Sequence, residues 1–475
     1  MALLCIALTA AVILGAMGVA YSRSKDALHP LMILGPMLLF VYVVRPSMLL
    51  GRDQMQPYLT PEQIAFAQAF FCMSIASLCL GALWGSGRGR ARVWFAVTPK
   101  MRRRLVNLGV FLGFLAVGSY WYCLYRSGGF LTVYSRAKGQ FSAGSGWINE
   151  LVTLSIPAVV LMVLAWNGER RYRHYLFWGA VFASPMLMHG LFGARRGPTF
   201  MVLAAVLVAW YVRLRKRVSL WKVTTRFGLI CLLAMFLVSQ RRNIYIGSDF
   251  DLNLGEFWNR VAAQEVDSTD DTILMYGFLN AVRDTKTCYY GVRYAATYFV
   301  RPIPRQIWPT KYTDLGLGWM VNQSEFGGIA DQQWMEILGW VPARGSAVGF
   351  AGDLFIEFRW GAPIGCFVMG WFFGRLWRNA SRRGGVWTLL YVQAAALSIY
   401  VPTQSVSAVF HRFLFIAVPT YFIWRYYIGR MSSPLPQQLV QAGPPARNAA
   451  PLAAGSVPLT SNENAPSHRP VYGPY

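Results

Sequence analysis

"ALLCIALTAAVILGAMGVAY", residues 2–21, holds twenty residues and not one charge. A helix of that length crosses the hydrocarbon core of a bilayer. A secretory leader has the same apolar middle but opens on a basic segment, and none precedes this run. The run therefore reads as a retained membrane helix. Comparable stretches recur near 30–50, 63–84, 105–125, 147–166, 175–192, 198–212, 227–244, 361–377, 386–406 and 413–428. The expectation is an all-α polytopic membrane protein with about eleven transmembrane helices.

Composition agrees. Of 475 residues, 55% are hydrophobic and 14% charged, against about a quarter charged in soluble domains. The seven cysteines are scattered, with no CxxC pair, so neither a disulfide framework nor a zinc site is signalled. The net charge of +25 does not imply nucleic acid, because in a membrane protein lysine and arginine report topology.

Basic clusters at 87–104, 168–175, 213–226 and 375–385 alternate with the apolar runs. Placing all four in the cytoplasm leaves the N-terminus outside and the C-terminus inside. The stretch from about 240 to 346 then becomes a large extracytoplasmic loop. Of the 20 acidic residues, 14 lie between Asp249 and Glu357, against 8 basic ones. Its "EVDSTDDT" (265–272) reads as a solvated acidic face. Residues 432–475, rich in Pro, Ala and Gln, read as a disordered cytoplasmic tail after a membrane domain spanning 1–431.

Charges at the edges of apolar runs are costly and mark candidate sites. Arg45, before Pro46, fits snorkelling to the outer interface. In "GLFGARRGPTF" (190–200), Arg195 and Arg196 occupy a turn too short to leave the membrane surface. They are either interfacial anchors or phosphate ligands, for which the guanidinium fork is suited. Arg241 and Arg242, in "VSQRRNIYIG" (238–247), pose the same choice. "YFVRPIPRQIWPTKYTDLG" (298–316) cannot be a helix, because Pro302, Pro304 and Pro309 block one. It is expected to hold Arg301, Arg305 and Lys311 in a stiff, extended clamp for a polyanion. Trp308, Tyr298 and Tyr312 would lie at the interface or stack on sugar rings. "GFAGDLFIEFRWGAPIG" (349–365) places Asp353 and Glu357 four residues apart, on one helix face. A carboxylate there serves as general base or acid, or merely pairs with Arg359. His411 and Arg412 sit at an outer turn before the last run, and His189 lies inside an earlier one. No GxxxxGK[ST], HExxH or GxSxG occurs, which argues against an ATP-driven pump and a serine hydrolase.

The span pattern, the late outer loop with "RPIPRQIWPTKY", and "GFAGDLFIEFRWGAPIG" leading into the next span resemble Wzy-type (O-antigen) oligosaccharide repeat-unit polymerases. "YVVRPSMLL" (42–50), "SGGFLTVYSR" (127–136) and "GARRGPTF" (193–200) extend the resemblance over roughly 30–428. It implies a glycosyltransferase of the bacterial inner membrane. Donor and acceptor would both be oligosaccharides on undecaprenyl diphosphate, with lipid diphosphate as leaving group. Arg195, Arg196, Arg301 and Arg305 would bind the diphosphate, with Arg241, Arg242, Lys311, Arg412 and Trp308 as further substrate contacts. Glu357 would be the base, with Asp353 or His411 in reserve. No cofactor is needed, and no metal if arginines neutralise the diphosphate. Membrane lipid and a chain-length regulator are the implied partners. An O-antigen ligase would share the donor, and a flippase for lipid-linked sugars is the rival outside enzymes.

Overall fold

The computed structural model describes residues 1–87, 98–135, 141, 146–166, 172–193, 196–214, 219–239, 270–303, 307–320, 325–342, 348–398 and 400–428. The chain forms two units, Met1–Gly429 and Arg430–Tyr475. The second unit, and with it the expected tail, lies outside the described residues.

The larger unit is predominantly helical. Its helices are α1 (Ala2–Ser24), α2 (Pro30–Gly51), α3 (Pro61–Ser86), α4 (Pro99–Arg126), α5 (Ile148–Ala165), α6 (Tyr172–Leu191) and α7 (Arg196–Arg213). Then come α8 (Leu220–Ser239), α9 (Asp271–Thr285), α10 (Asp331–Leu338), α11 (Gly349–Phe358), α12 (Ala362–Arg383), α13 (Val386–Ser398) and α14 (Val406–Ile428). Among the described residues, six helices are long and apolar enough to cross a membrane: α1 to α5 and α14. They keep large apolar side chains on the surface, such as Leu4, Trp84, Phe111 and Trp121, as lipid-facing helices do. The other expected spans are helical where described, without reaching that combination of length and apolarity among the described residues.

Local chemistry sets the helix ends. Thr60 and Gln63 form a capping box ahead of α3, with Pro61 in the first turn. Within α2, Pro46 has no N–H to give the carbonyl of Tyr42 four residues back. The helix widens to a π turn over Phe40–Val44, and Gln68 of α3 donates to that carbonyl instead, at 3.2 Å.

Helix α3 packs closely against α12 through two small-residue steps, Gly81/Gly85 and Gly370/Gly374. A Cβ on Gly81 would lie 2.0 Å from the Phe367 carbonyl oxygen, and one on Gly370 2.0 Å from that of Leu78. This backbone approach is the GxxxG mode of helix association in membranes.

The stretch expected as an outer loop holds a buried helix in its described part. Residues 240–269 lie outside the described residues, but Asp271–Thr285 is helix α9, buried from Thr272 to Val282 against α3, α10 and α11. Its "TILMYGFLNAV" (272–282) is apolar, and it disappears when averaged with charged flanks. Asp270 is no solvated face. Its carboxylate accepts the Thr272 N–H at 2.8 Å as N-cap and pairs with Arg45 at 2.7 Å. Arg45 therefore meets a carboxylate of its own chain rather than only lipid headgroups. A two-residue antiparallel hairpin, Glu325–Phe326 with Ile329–Ala330, turns on Gly327 and Gly328, both at positive φ.

Helices α9 and α11 cap each other. Arg359, just past α11, donates to the carbonyls of Val282 and Arg283 at the end of α9. Tyr289 and Tyr290, just past α9, donate their N–H groups to the carbonyls of Ile356 and Glu357, at 3.1 and 2.8 Å. Each helix end supplies donors for the other's orphaned acceptors. Arg359 and Tyr290 adopt φ of 51° and 50° to do so, a conformation that costs non-glycine residues about 1 kcal/mol or more.

Candidate functional site

Helix α11 carries Asp353 and Glu357 on one face, both fully buried. Their cation is Arg293, not Arg359, the partner that the alternative reading gave them. Arg293 Nη2 lies 3.1 Å from Asp353 Oδ1, and Nε lies 3.5 Å from Glu357 Oε1. Asp353 Oδ2 also accepts the Tyr294 hydroxyl at 2.8 Å and the Val406 N–H at 2.9 Å. The latter satisfies a free amide in the first turn of α14. Both Asp353 oxygens are therefore occupied. Glu357 differs. Its Oε2 accepts the Gly291 N–H at 2.9 Å, but Oε1 is buried with no hydrogen-bond partner among the described residues. Arg293 Nη1 is likewise buried without one.

Electrostatics separates the members. Burial pushes the Glu357 carboxyl up to about 7, with Arg293 opposing and Asp353 reinforcing the shift. Burial works against the Arg293 charge, but Asp353 and then Glu357 outweigh it and raise its pKa above the usual arginine value. Burial, then the Asp353 charge, also lifts the Tyr294 phenol well above its normal range.

A second group gathers at the start of α14. His411 lies within electrostatic reach of Glu150, Arg301 and Arg412. Arg301 is half exposed, and its Nη2 lies 3.5 Å from Glu150 Oε1. The Arg412 guanidinium sits 5.2 Å from the Tyr400 ring centre, and its Nη1 is buried with no hydrogen-bond partner among the described residues. The Tyr400 hydroxyl occupies the space where a Cβ on Gly197 would fall. The backbone just after Arg196 is thereby brought against Tyr400. The two groups join through α14: Val406 N–H reaches Asp353, and the Ser407 carbonyl accepts the Tyr298 hydroxyl at 3.4 Å.

Other expectations fare differently. Tyr298–Gly316 is not the extended clamp expected. It starts inside a π-helical turn, Ala296–Val300, turns at Arg301 and Pro302, and ends in a short helix, Lys311–Asp314. Lys311 is buried, and its ammonium donates to the carbonyls of Val300, Arg301 and Ile303. It fixes the turn instead of facing a ligand. Trp308 donates its indole N–H to Asp314 at 2.6 Å. That bond, then one from Thr310, holds the Asp314 carboxyl below its ordinary pKa. Arg195, Arg241, Arg242 and Arg305 lie outside the described residues, as does the Arg196 side chain. His189 meets the Tyr134 hydroxyl at 3.3 Å and stacks on Phe141, far in sequence from the acidic residues. Among the described residues, no group of three or more His, Cys, Asp or Glu side chains is placed to hold a metal ion.

Sequence reading missed Arg293 and Gly291. The available signal was Arg293's isolation: it is the one basic residue between Lys286 and Arg301 in an acid-rich stretch. Compared with known protein families, curated proteins and solved structures, the chain matches none.

Proposed function

We propose that the protein is a bacterial inner-membrane glycosyltransferase that polymerises undecaprenyl-diphosphate-linked oligosaccharide repeat units, in the manner of Wzy-type polymerases. In this reading about eleven helices span the membrane, the N-terminus lies outside and the C-terminus in the cytoplasm. The observation that carries it is that two unlike groups are linked through the start of α14, by Val406 to Asp353 and by Ser407 to Tyr298. One is cationic, with a buried Arg412 donor that has no hydrogen-bond acceptor among the described residues. The other is an acid pair in which Glu357 Oε1 is ion-paired to Arg293 but accepts no hydrogen bond among the described residues, and in which burial raises the Glu357 carboxyl to about 7. Glycosyl transfer from a lipid diphosphate needs both.

The acceptor hydroxyl gives its proton to Glu357 Oε1 as its oxygen bonds to the anomeric carbon of the donor chain. The bond from that carbon to the diphosphate oxygen breaks, and the lipid diphosphate leaves with the electron pair. Arg412 and Arg301, with His411 beside them, counter the charge that develops there. A base with a pKa near 7 suits proton transfer at neutral pH. Asp353, with both oxygens engaged, supports the geometry rather than the chemistry.

The test is turnover of a synthetic undecaprenyl-diphosphate repeat unit by the purified protein in detergent, read as a ladder of products. Glu357→Gln and Arg412→Ala should each lower ladder formation by about a hundredfold or more, the usual scale for a catalytic base or charge-stabilising donor. A ladder untouched by both retains the activity and removes the assigned site. Transfer of a single block points to a ligase. No product from folded protein overturns the proposal.

A further inference from the structure

The acid cluster has a polarity of its own, distinct from the cationic group. Two carboxyl groups face one guanidinium, so it has no surplus positive charge with which to hold a diphosphate. What it offers is one acceptor, Glu357 Oε1, and one donor, Arg293 Nη1, both buried and without hydrogen-bond partners among the described residues. A ligand bearing hydroxyls, which donate and accept at once, answers that pair. The surroundings fit the same chemistry. At Gly291, whose N–H binds Glu357 Oε2, a side chain would meet only the Phe358 ring within 4 Å, at 3.7 Å. Phe358 and Tyr290 flank this glycine and are exposed, at 39% and 82%. A buried polar pair beside open aromatic faces is the composition of a carbohydrate site.

We propose that Glu357, Arg293, Phe358 and Tyr290 form a subsite for a neutral sugar, with Arg293 as the positioning residue that holds Glu357 Oε1 toward a sugar hydroxyl. This rests on the glycosyltransferase reading above and deepens it. The acceptor's sugar docks on the acid cluster, while the diphosphate docks at Arg301 and Arg412. Arg293 has its fork on Asp353 and Glu357 together. A lysine keeps the charge but lacks that planar fork.

The experiment measures binding, not turnover. Protein in nanodiscs, held below the Glu357 pKa of about 7, is exposed to a panel of methyl glycosides and, separately, to inorganic pyrophosphate. The infrared band of the protonated Glu357 carboxyl, identified by its loss in Glu357→Gln, is the readout. At least one glycoside should shift that band, and pyrophosphate should not. Arg293→Lys should weaken the response roughly tenfold or more, as expected when a hydrogen bond to a charged group is misplaced. Phe358→Ala should weaken it several-fold. If Arg293→Lys does not fold, Phe358→Ala carries the test, with Glu357→Gln as the blank that identifies the band. A band that no glycoside moves, or that pyrophosphate alone moves, overturns the subsite. A glycoside response in a protein that forms no ladder keeps the subsite and fails the polymerase reading, so the two can fall separately.

Discussion

Arg293 is the residue on which the acid pair depends. Removing it leaves Asp353 and Glu357 buried with no cation among the described residues, and breaking such a pair by taking one partner away costs about 3–5 kcal/mol. Arg293→Met should therefore lower the midpoint of thermal unfolding in detergent far more than loss of an exposed arginine such as Arg382 does. Glu357 makes an opposite-signed contribution that depends on pH. Its folded pKa, about 7, is above the ordinary value of 4.5. The unfolded chain therefore releases this proton first as pH rises. Stability linked to Glu357 is complete below about 4.5, is lost as pH rises toward 7, and changes no further above that. Unfolding midpoints measured across this window should show a smaller decline in Glu357→Gln than in the parent protein. An equal decline would mean that Glu357 keeps an ordinary pKa. A carboxylate suited to acid or base work was legible in "FIEFRWG", but its cation was not, because the sequence offers Arg359 two positions away as the obvious partner. That arginine turns to the carbonyls of α9 instead.

Helix α3 is the element from which the rest is hung. One face carries Gly81 and Gly85 against α12, and another carries Gln68 inward. Gln68 is fully buried, donating to the Tyr42 carbonyl and to Thr9 and accepting from the Tyr276 hydroxyl. It thereby ties α1, α2, α3 and α9 through one amide. Gln68→Leu should destabilise by roughly 1–3 kcal/mol for each buried group left unpaired, so a loss of a few kcal/mol is expected in chemical unfolding. A change near zero would mean that water replaces the amide. On the glycine face, Gly370→Ala places a methyl where the Leu78 carbonyl already sits, and overpacking of this kind costs about 1–3 kcal/mol. The same substitution at Gly118, where nothing lies within 4 Å, should be silent. The pair of variants separates backbone contact from mere loss of a helix glycine.

Across the whole molecule, what could be read early was whatever repeats. Twenty-residue apolar runs and alternating basic clusters report a membrane chain however the helices pack. The pairing of Asp353 with Glu357 was also legible, because a spacing of four is a property of one helix. The partners of that pair were not, since Arg293 lies 60 residues before Asp353 and Val406 lies 53 after it, and no local periodicity links such distances. Helix α9 was lost for a different reason. An eleven-residue, mostly apolar stretch is too short to register as a span, and charges at Asp270, Asp271, Arg283 and Asp284 dilute it. The mutual caps of α9 and α11 carry a consequence for biogenesis. During synthesis α9 emerges some seventy residues ahead of its capping arginine at 359, so its final carbonyls wait on chain not yet made. The two helices should therefore mature as one event late in translation, not in sequence order. Truncations ending between Gly291 and Phe358 should leave α9 open to protease, and extension past Arg359 should protect both helices together.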